Sequence, residues 1–314
     1  MKSLNMRGGA VLGATVLLSI LTGGSVVANA VTDAVSGGRS TPGFAWPTGG
    51  IQVADAADLT RRFFEMDYHL HAVREGFGDV PRMILANLPG DLTELASAEQ
   101  RKALFVQAML PLLLQANEEI LLERERLFAL TALPAGGRSR VQELWLAQLA
   151  EQYATEPGDL DELKRRVDIV PPSLALAQAA VESGWGTSRF AQEANAVFGQ
   201  WTYEPSQGLA PADATETDRH YVRSFDGLPA SVSGYLLNLN THFAYASFRN
   251  RRKMMRDQVG DLDPFALANT LLYYSKTRGE YVTAVRTIIE RNGLVSYDNA
   301  RLRDLHGAIP ILRF

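Results

Sequence analysis

The 314-residue sequence contains no cysteine. That excludes a disulfide framework, a thiol nucleophile and a thiolate-held metal, so the chain must rest on its own core. With 46% hydrophobic residues it is long enough for one large domain or two modest ones. Histidine is scarce as well: His69 and His71, two apart on an expected helix, point to different faces, and no HExxH occurs. Neither a P-loop nor a dinucleotide fingerprint is present, and Ser183 lacks the G-x-S-x-G elbow. We therefore expect no metal and no cofactor. Charge of either sign is also lacking in bulk, with a formal net charge of −4, so nothing suggests a nucleic acid as partner. Long hydrophobic runs are missing too. The apolar stretch Ala10 to Leu21 is short for a membrane span.

What is present begins with an export signal. Lys2 and Arg7 form a basic start, the apolar run follows, and Ala28-Asn29-Ala30 reads as a cleavage site, so residues 1–30 are expected to be a signal peptide. Retention of this segment as an anchor is the competing reading. Its removal takes two cations away and brings the charge from −4 to −6. Residues 31–53, rich in Gly, Ser, Thr and Pro, read as a linker. Helical spacing runs from about Ala54 to Leu133, including Leu104, Phe105, Ala108, Met109 and Leu112, Pro134 to Gly137 closes that block, and Val141 to Tyr153 forms a further amphipathic helix. Between Val197 and Phe225 the pattern alternates as short strands do, which predicts a β-hairpin with a long tip over Glu204 to Arg219. The class is mostly α, that is α+β. The basic run Arg249-Asn250-Arg251-Arg252-Lys253, with Arg256, reads as a solvated face or as a contact for anionic cell-wall polymer.

The segment Leu174 to Tyr203 carries the chemistry. Leu174 to Val181 is apolar on nearly every face, which marks a helix buried in a core. Pro171 and Pro172 suit its first turn and Gly184 its C-terminal cap. Glu182 sits in its last turn, near the negative end of the dipole and in a dry neighbourhood. Both raise a carboxyl's pKa and favour the protonated form that a general acid needs.

The same residues are similar to a known family. Ala177 to Gly186 (AQAAVESGWG), Ser188 to Ala191 and Asn195 to Gly199 resemble the signature of the glucosaminidases of glycoside hydrolase family 73, which include flagellar rod peptidoglycan hydrolases and autolysins. Phe198 to Trp201, Asn238 to His242, Tyr274-Ser275 and Gly279 to Val282 resemble its Bax-type subgroup, as do Val80 to Arg82, Asn87 to Pro89 and Leu110 to Arg124. The resemblance implies a lysozyme-like domain over 140–314 with a small β-hairpin lobe, preceded by an N-terminal helical region over 54–139. It implies an endo-β-N-acetylglucosaminidase acting on peptidoglycan glycan strands in the periplasm or envelope of a Gram-negative bacterium, with Glu182 as catalytic acid. The family carries a second acidic residue on a mobile β-lobe. Glu216, 34 positions after Glu182, fits best among Asp213, Glu216 and Asp218. Trp185, Trp201, Tyr203, Tyr274 and Tyr281 are the candidate platforms for sugar rings, with Phe198 read mainly as core. Tyr274 and Tyr281 match tyrosines of the family, and their alternative is a buried hydroxyl anchored to the backbone.

Two other readings stand beside this one. A lytic transglycosylase-like reaction needs one glutamate as acid then base and leaves a 1,6-anhydro sugar. A non-catalytic wall-binding scaffold would hold a cell-envelope protein partner through the N-terminal helices. An inverting and a substrate-assisted hydrolysis are both open to the residues.

Overall fold

The structure, a computed structural model, describes residue 46 and residues 50–134, 136–211, 220–258 and 260–304. The expected signal peptide and most of the expected linker lie outside them. At the linker's end Ile51 already pairs with Leu85: its N–H donates to Ile84 O at 2.7 Å and its carbonyl accepts from Ala86 N at 2.9 Å.

The N-terminal region is less continuously helical than its spacing predicts. Helix α1 (Ala56–Glu65) starts under the Asp55 side chain, and α2 (Leu70–Arg74) is short. Residues 75–97 then hold only a 3-10 turn at Leu92–Glu94. Pro81 and Pro89 have no N–H to extend a helix, and Gly76 takes a left-handed φ of 76° that ends one. Helix α3 (Ala98–Thr131), capped by Ser97, then runs for 34 residues with Pro111 inside it. The Gln115 amide donates to Pro111 O at 2.9 Å and to Met83 O at 3.1 Å, tying the helix to the irregular segment. Next come α4 (Arg140–Gln152), with a Ser139/Gln142 capping box, and α5 (Leu160–Arg166).

Helix α6 (Pro172–Ser183) is enclosed by α3, by α10 (Pro264–Ala268), by α11 (Gly279–Arg291) and by the turn Leu294–Tyr297. Ten of its twelve residues are buried, and Val181 and Glu182 are half-buried. Pro171 and Pro172 open it as the sequence predicts, and Gly184 closes it at φ 58°, ψ 43°. At its start, Ser173 N and Oγ both donate to the Asp298 carboxylate at 2.7 Å, a cap brought from 125 residues away. Helix α7 (Arg189–Ala194) follows, then the sheet, then α8 (Leu228–Thr241) and α9 (Ala246–Gln258).

The expected hairpin is a three-stranded antiparallel sheet of order β1-β3-β2, formed by β1 (Trp201–Thr202), β2 (Gly208–Leu209) and β3 (Tyr221–Arg223). Trp201 pairs with Val222, and Leu209 with Val222 on the other edge. Val197 and Phe198 are not strand residues; they turn inward and are buried in the main core. That core is one cluster from Ala56 to Tyr297, so helices on both sides of residue 140 share it. The whole is mostly α with a small antiparallel sheet, as a lysozyme-like fold requires. Among the described residues no helix is long and apolar enough to cross a membrane.

The basic run on α9 is only in part the solvated face that its charges suggest: Asn250, Arg251 and Lys253 are exposed, but two of its arginines turn inward. Arg249 and Arg252 are buried. Arg252 donates to the carbonyls of Asp168 (2.9 Å), Ile169 (3.0 Å), Arg165 (3.1 Å) and Arg166 (3.2 Å), filling the end of α5 with a cation. Asp168, itself buried, pairs with Arg256 at 3.0 Å and lies 3.6 Å from Arg124 and 3.8 Å from Arg252. Burial alone would raise its carboxyl; the three guanidinium groups outweigh burial and hold it below the usual range. Losing Arg252 leaves four carbonyls without this donor and Asp168 with two guanidinium groups in place of three. Arg252→Met is therefore expected to cost about 3–5 kcal/mol in urea denaturation, whereas Lys253→Met, on the exposed side, stays within about 0.5 kcal/mol.

Candidate active site

Glu182 leaves the core where α6 ends. Its carboxyl lies against the Cα of Gly199: a Cβ built there would stand 2.5 Å from Glu182 Oε2. Gly199 also takes a φ of +60°, so both the backbone and the space require glycine at this point. Burial raises the Glu182 carboxyl to about 7, and a hydrogen bond from the Tyr281 hydroxyl offsets part of that rise. Of the two causes expected from the sequence, the dry neighbourhood is the one that raises this carboxyl.

The neighbours of Glu182 are phenols. Tyr274 and Tyr281 stack with centroids 5.2 Å apart and planes at 7°, and Tyr274 donates its hydroxyl to Phe198 O at 2.8 Å. Phe198 stacks on Tyr235 at 3.9 Å and 8°. Tyr274, Tyr281 and Phe198 are all buried. Tyr274 thus has the anchored hydroxyl of the plain alternative, and Tyr281 spends its own within the protein rather than presenting a bare face. Phe198 is core, as expected.

The other aromatic candidates lie nearer the surface. Trp185 is partly exposed at a left-handed φ of 60°, a conformation that costs a non-glycine residue about 1 kcal/mol. Its ring meets Phe105 edge-on at 5.8 Å, with Lys102 Nζ 5.4 Å from its centre. The following Gly186 leaves no room for a side chain, since a Cβ there would stand 2.6 Å from Leu88 Cδ1. The Gly-Trp-Gly turn is therefore seated on the N-terminal region. Trp201 stacks on His220 at 4.1 Å, and Lys276 Nζ stands 5.5 Å from its ring centre. Tyr203 is exposed. Asp213, Glu216 and Asp218, the candidates for a second carboxylate, lie outside the described residues.

Sequence reasoning missed the roles of Gly199, Tyr235 and Gln178. Gln178 is buried inside α6, with its amide held between Tyr235 and Tyr281. The signal for it was visible: it is the one amide in a helix that is otherwise apolar and small. Among the described residues, no three of His, Cys, Asp and Glu come together as a metal site would need.

A carboxyl raised by burial at the end of a core helix, beside two stacked phenols and on a lysozyme-like fold, has the form of a glycoside hydrolase acid. A family model described as Glucosaminidase, mannosyl-glycoprotein endo-beta-N-acetylglucosaminidase, matches residues 158–294. The chain is also 33% identical to "Protein bax" of Escherichia coli (strain K12) over 201 residues, covering 62% of this chain and 70% of that protein. No solved structure matches it. The chain belongs to the glucosaminidase family, in its Bax-type subgroup, and is a glycoside hydrolase.

The raised pKa has a consequence for stability. Because folding raises the pKa of this acid from 4.5 to about 7, the folded state binds the proton more tightly than the unfolded chain. The penalty is absent below about pH 4.5, grows as pH rises to about 7, and is full above it. Glu182→Gln is therefore expected to stabilise the fold by on the order of 2 kcal/mol at about pH 8, and to change little at about pH 4. Thermal melts at the two pH values check this.

Proposed function

We propose that the protein is an exported endo-β-N-acetylglucosaminidase that cleaves the β-1,4 bond after N-acetylglucosamine in peptidoglycan strands. The observation that carries this reading is Glu182 itself, with a carboxyl raised by burial to about 7 at the C-terminal end of an enclosed helix. Near neutral pH much of it holds a proton. It donates that proton to the glycosidic oxygen, which takes the electron pair of the breaking bond. In this reading Glu216, from the β-lobe, activates the water that attacks the anomeric carbon. Trp185, Trp201 and Tyr203, the partly exposed aromatics, stack on sugar rings, while Tyr274 and Tyr281 shape the wall behind the acid. The export signal in residues 1–30 puts the enzyme in the periplasm or envelope, where this substrate is. Family membership and the similarity to the Escherichia coli protein support the substrate class.

Digestion of purified peptidoglycan, with the products identified by mass spectrometry, tests the reading. Reducing-end N-acetylglucosamine is expected. Anhydro-muramic ends would replace it with a lytic transglycosylase reaction, and no cleavage would leave a wall-binding scaffold. Glu182→Gln should abolish turnover, roughly 10³-fold or more, with the fold intact by circular dichroism. In the wild type, kcat should fall as pH rises through about 7, because the protonated acid is lost. Glu216→Gln should lower kcat by at least about tenfold; an equal loss at Asp213 or Asp218 instead would move the second role there.

A further inference from the structure

Gln178 stands one turn before Glu182 on α6 and is fully enclosed. A buried amide is costly unless its groups are paired, and here both are. Its Oε1 accepts from the Tyr235 hydroxyl at 2.8 Å, and its Nε2 donates to the Tyr281 oxygen at 2.9 Å. The direction of this chain is set at its far end. Tyr235 is fully enclosed and stacked on Phe198, so its hydroxyl proton goes to the amide carbonyl rather than to water. An amide whose carbonyl is taken up there turns its N–H to Tyr281. The Tyr281 oxygen accepts, and its own proton is left for Glu182.

We propose that Gln178 is a positioning residue: its amide, oriented by Tyr235, makes Tyr281 a hydrogen-bond donor to Glu182. The proposal rests on the reading of Glu182 as the general acid. The reverse amide orientation would draw the Tyr281 proton toward Gln178 and leave the carboxylate formed during the reaction without its donor. Among the described residues, no other side chain hydrogen-bonds Glu182. Glu182 acts on Tyr281 on α11 and on Tyr274 ahead of it, and next to these lie Tyr235 on α8 and Tyr245 in the turn Phe243–Tyr245. All are phenols, and among the described residues no charged side chain acts on Glu182. Burial, then the charge of Glu182, holds the Tyr281 phenol well above its usual range, so it keeps its proton and remains a donor. As Glu182 passes its proton to the glycosidic oxygen, the new carboxylate receives this hydrogen bond without any proton leaving the phenol. The acid is stronger for it.

The test uses the full chain with ¹³C-labelled glutamate, following the Glu182 carboxyl by NMR titration. Gln178→Met and Tyr281→Phe are each expected to move its midpoint up by about one pH unit. The double variant should move it no further than Tyr281→Phe alone, since both remove one interaction. Tyr235→Phe should move it in the same direction, because the amide loses what orients it. On peptidoglycan, kcat should fall about threefold to tenfold in Gln178→Met, with its alkaline limb shifted up and KM unchanged. A wild-type midpoint in Gln178→Met beside a shifted one in Tyr281→Phe would overturn the proposal, as would fully additive shifts in the double variant. Should Gln178→Met not fold, Tyr235→Phe decides alone: a raised midpoint supports the proposal and a wild-type midpoint overturns it. The titration needs no substrate, so absence of glycan cleavage would count against the proposed function and leave the result on Gln178 standing.

Discussion

Helix α6 is surrounded by α3, α10, α11 and the turn Leu294–Tyr297, and a carboxylate can leave such an enclosure only at the helix's end. Glu182 occupies that end. Its raised pKa, its contact with Gly199 and its dependence on Tyr281 all follow from this one placement. An apolar helix on a surface would have left the same glutamate solvated and fully ionised near neutral pH.

Much of the remaining structure holds α6 in place. Arg252 and Arg124 grip the carbonyls of residues 164–169, immediately ahead of the helix. Asn240 donates to Asp168 O at 3.0 Å and Asn117 to Val170 O at 2.8 Å. Asp298 then takes the first turn through Ser173. At the other end, Leu88, Leu92 and Phe105 close around Gly186. The charges of α9 and the irregular segment before α3 therefore act on the site without touching it. They fix the two ends of the helix that delivers the acid.

The parts of this arrangement that depend on local chemistry were legible in the sequence. Paired prolines, an apolar run and a glycine describe α6 from end to end, and the glucosaminidase resemblance falls on residues that do converge. The parts that depend on distant partners were not. Charge alone makes Arg249 and Arg252 look solvated, because nothing near them in sequence reveals that Arg252 faces carbonyls at the end of α5 and Arg249 those at the end of α8. Alternation indicates strands between Val197 and Phe225, yet two-residue strands carry too little pattern to show that β3 lies between β1 and β2. Helical spacing in residues 54–133 hid the interruption by Pro81 and Pro89. Tyr274 and Tyr281 match cleft tyrosines of the family, and a sequence cannot show that the two rings stack on each other.

The account stands on a single physical claim: that the enclosure of α6 keeps Glu182 protonated near neutral pH. Difference infrared spectroscopy of the wild type against Glu182→Gln tests it directly, through the carbonyl stretch of a protonated carboxylic acid. The account expects a band that is present at about pH 6, is lost with a midpoint near 7 and is missing from the variant. A carboxyl already ionised at about pH 5 would contradict it.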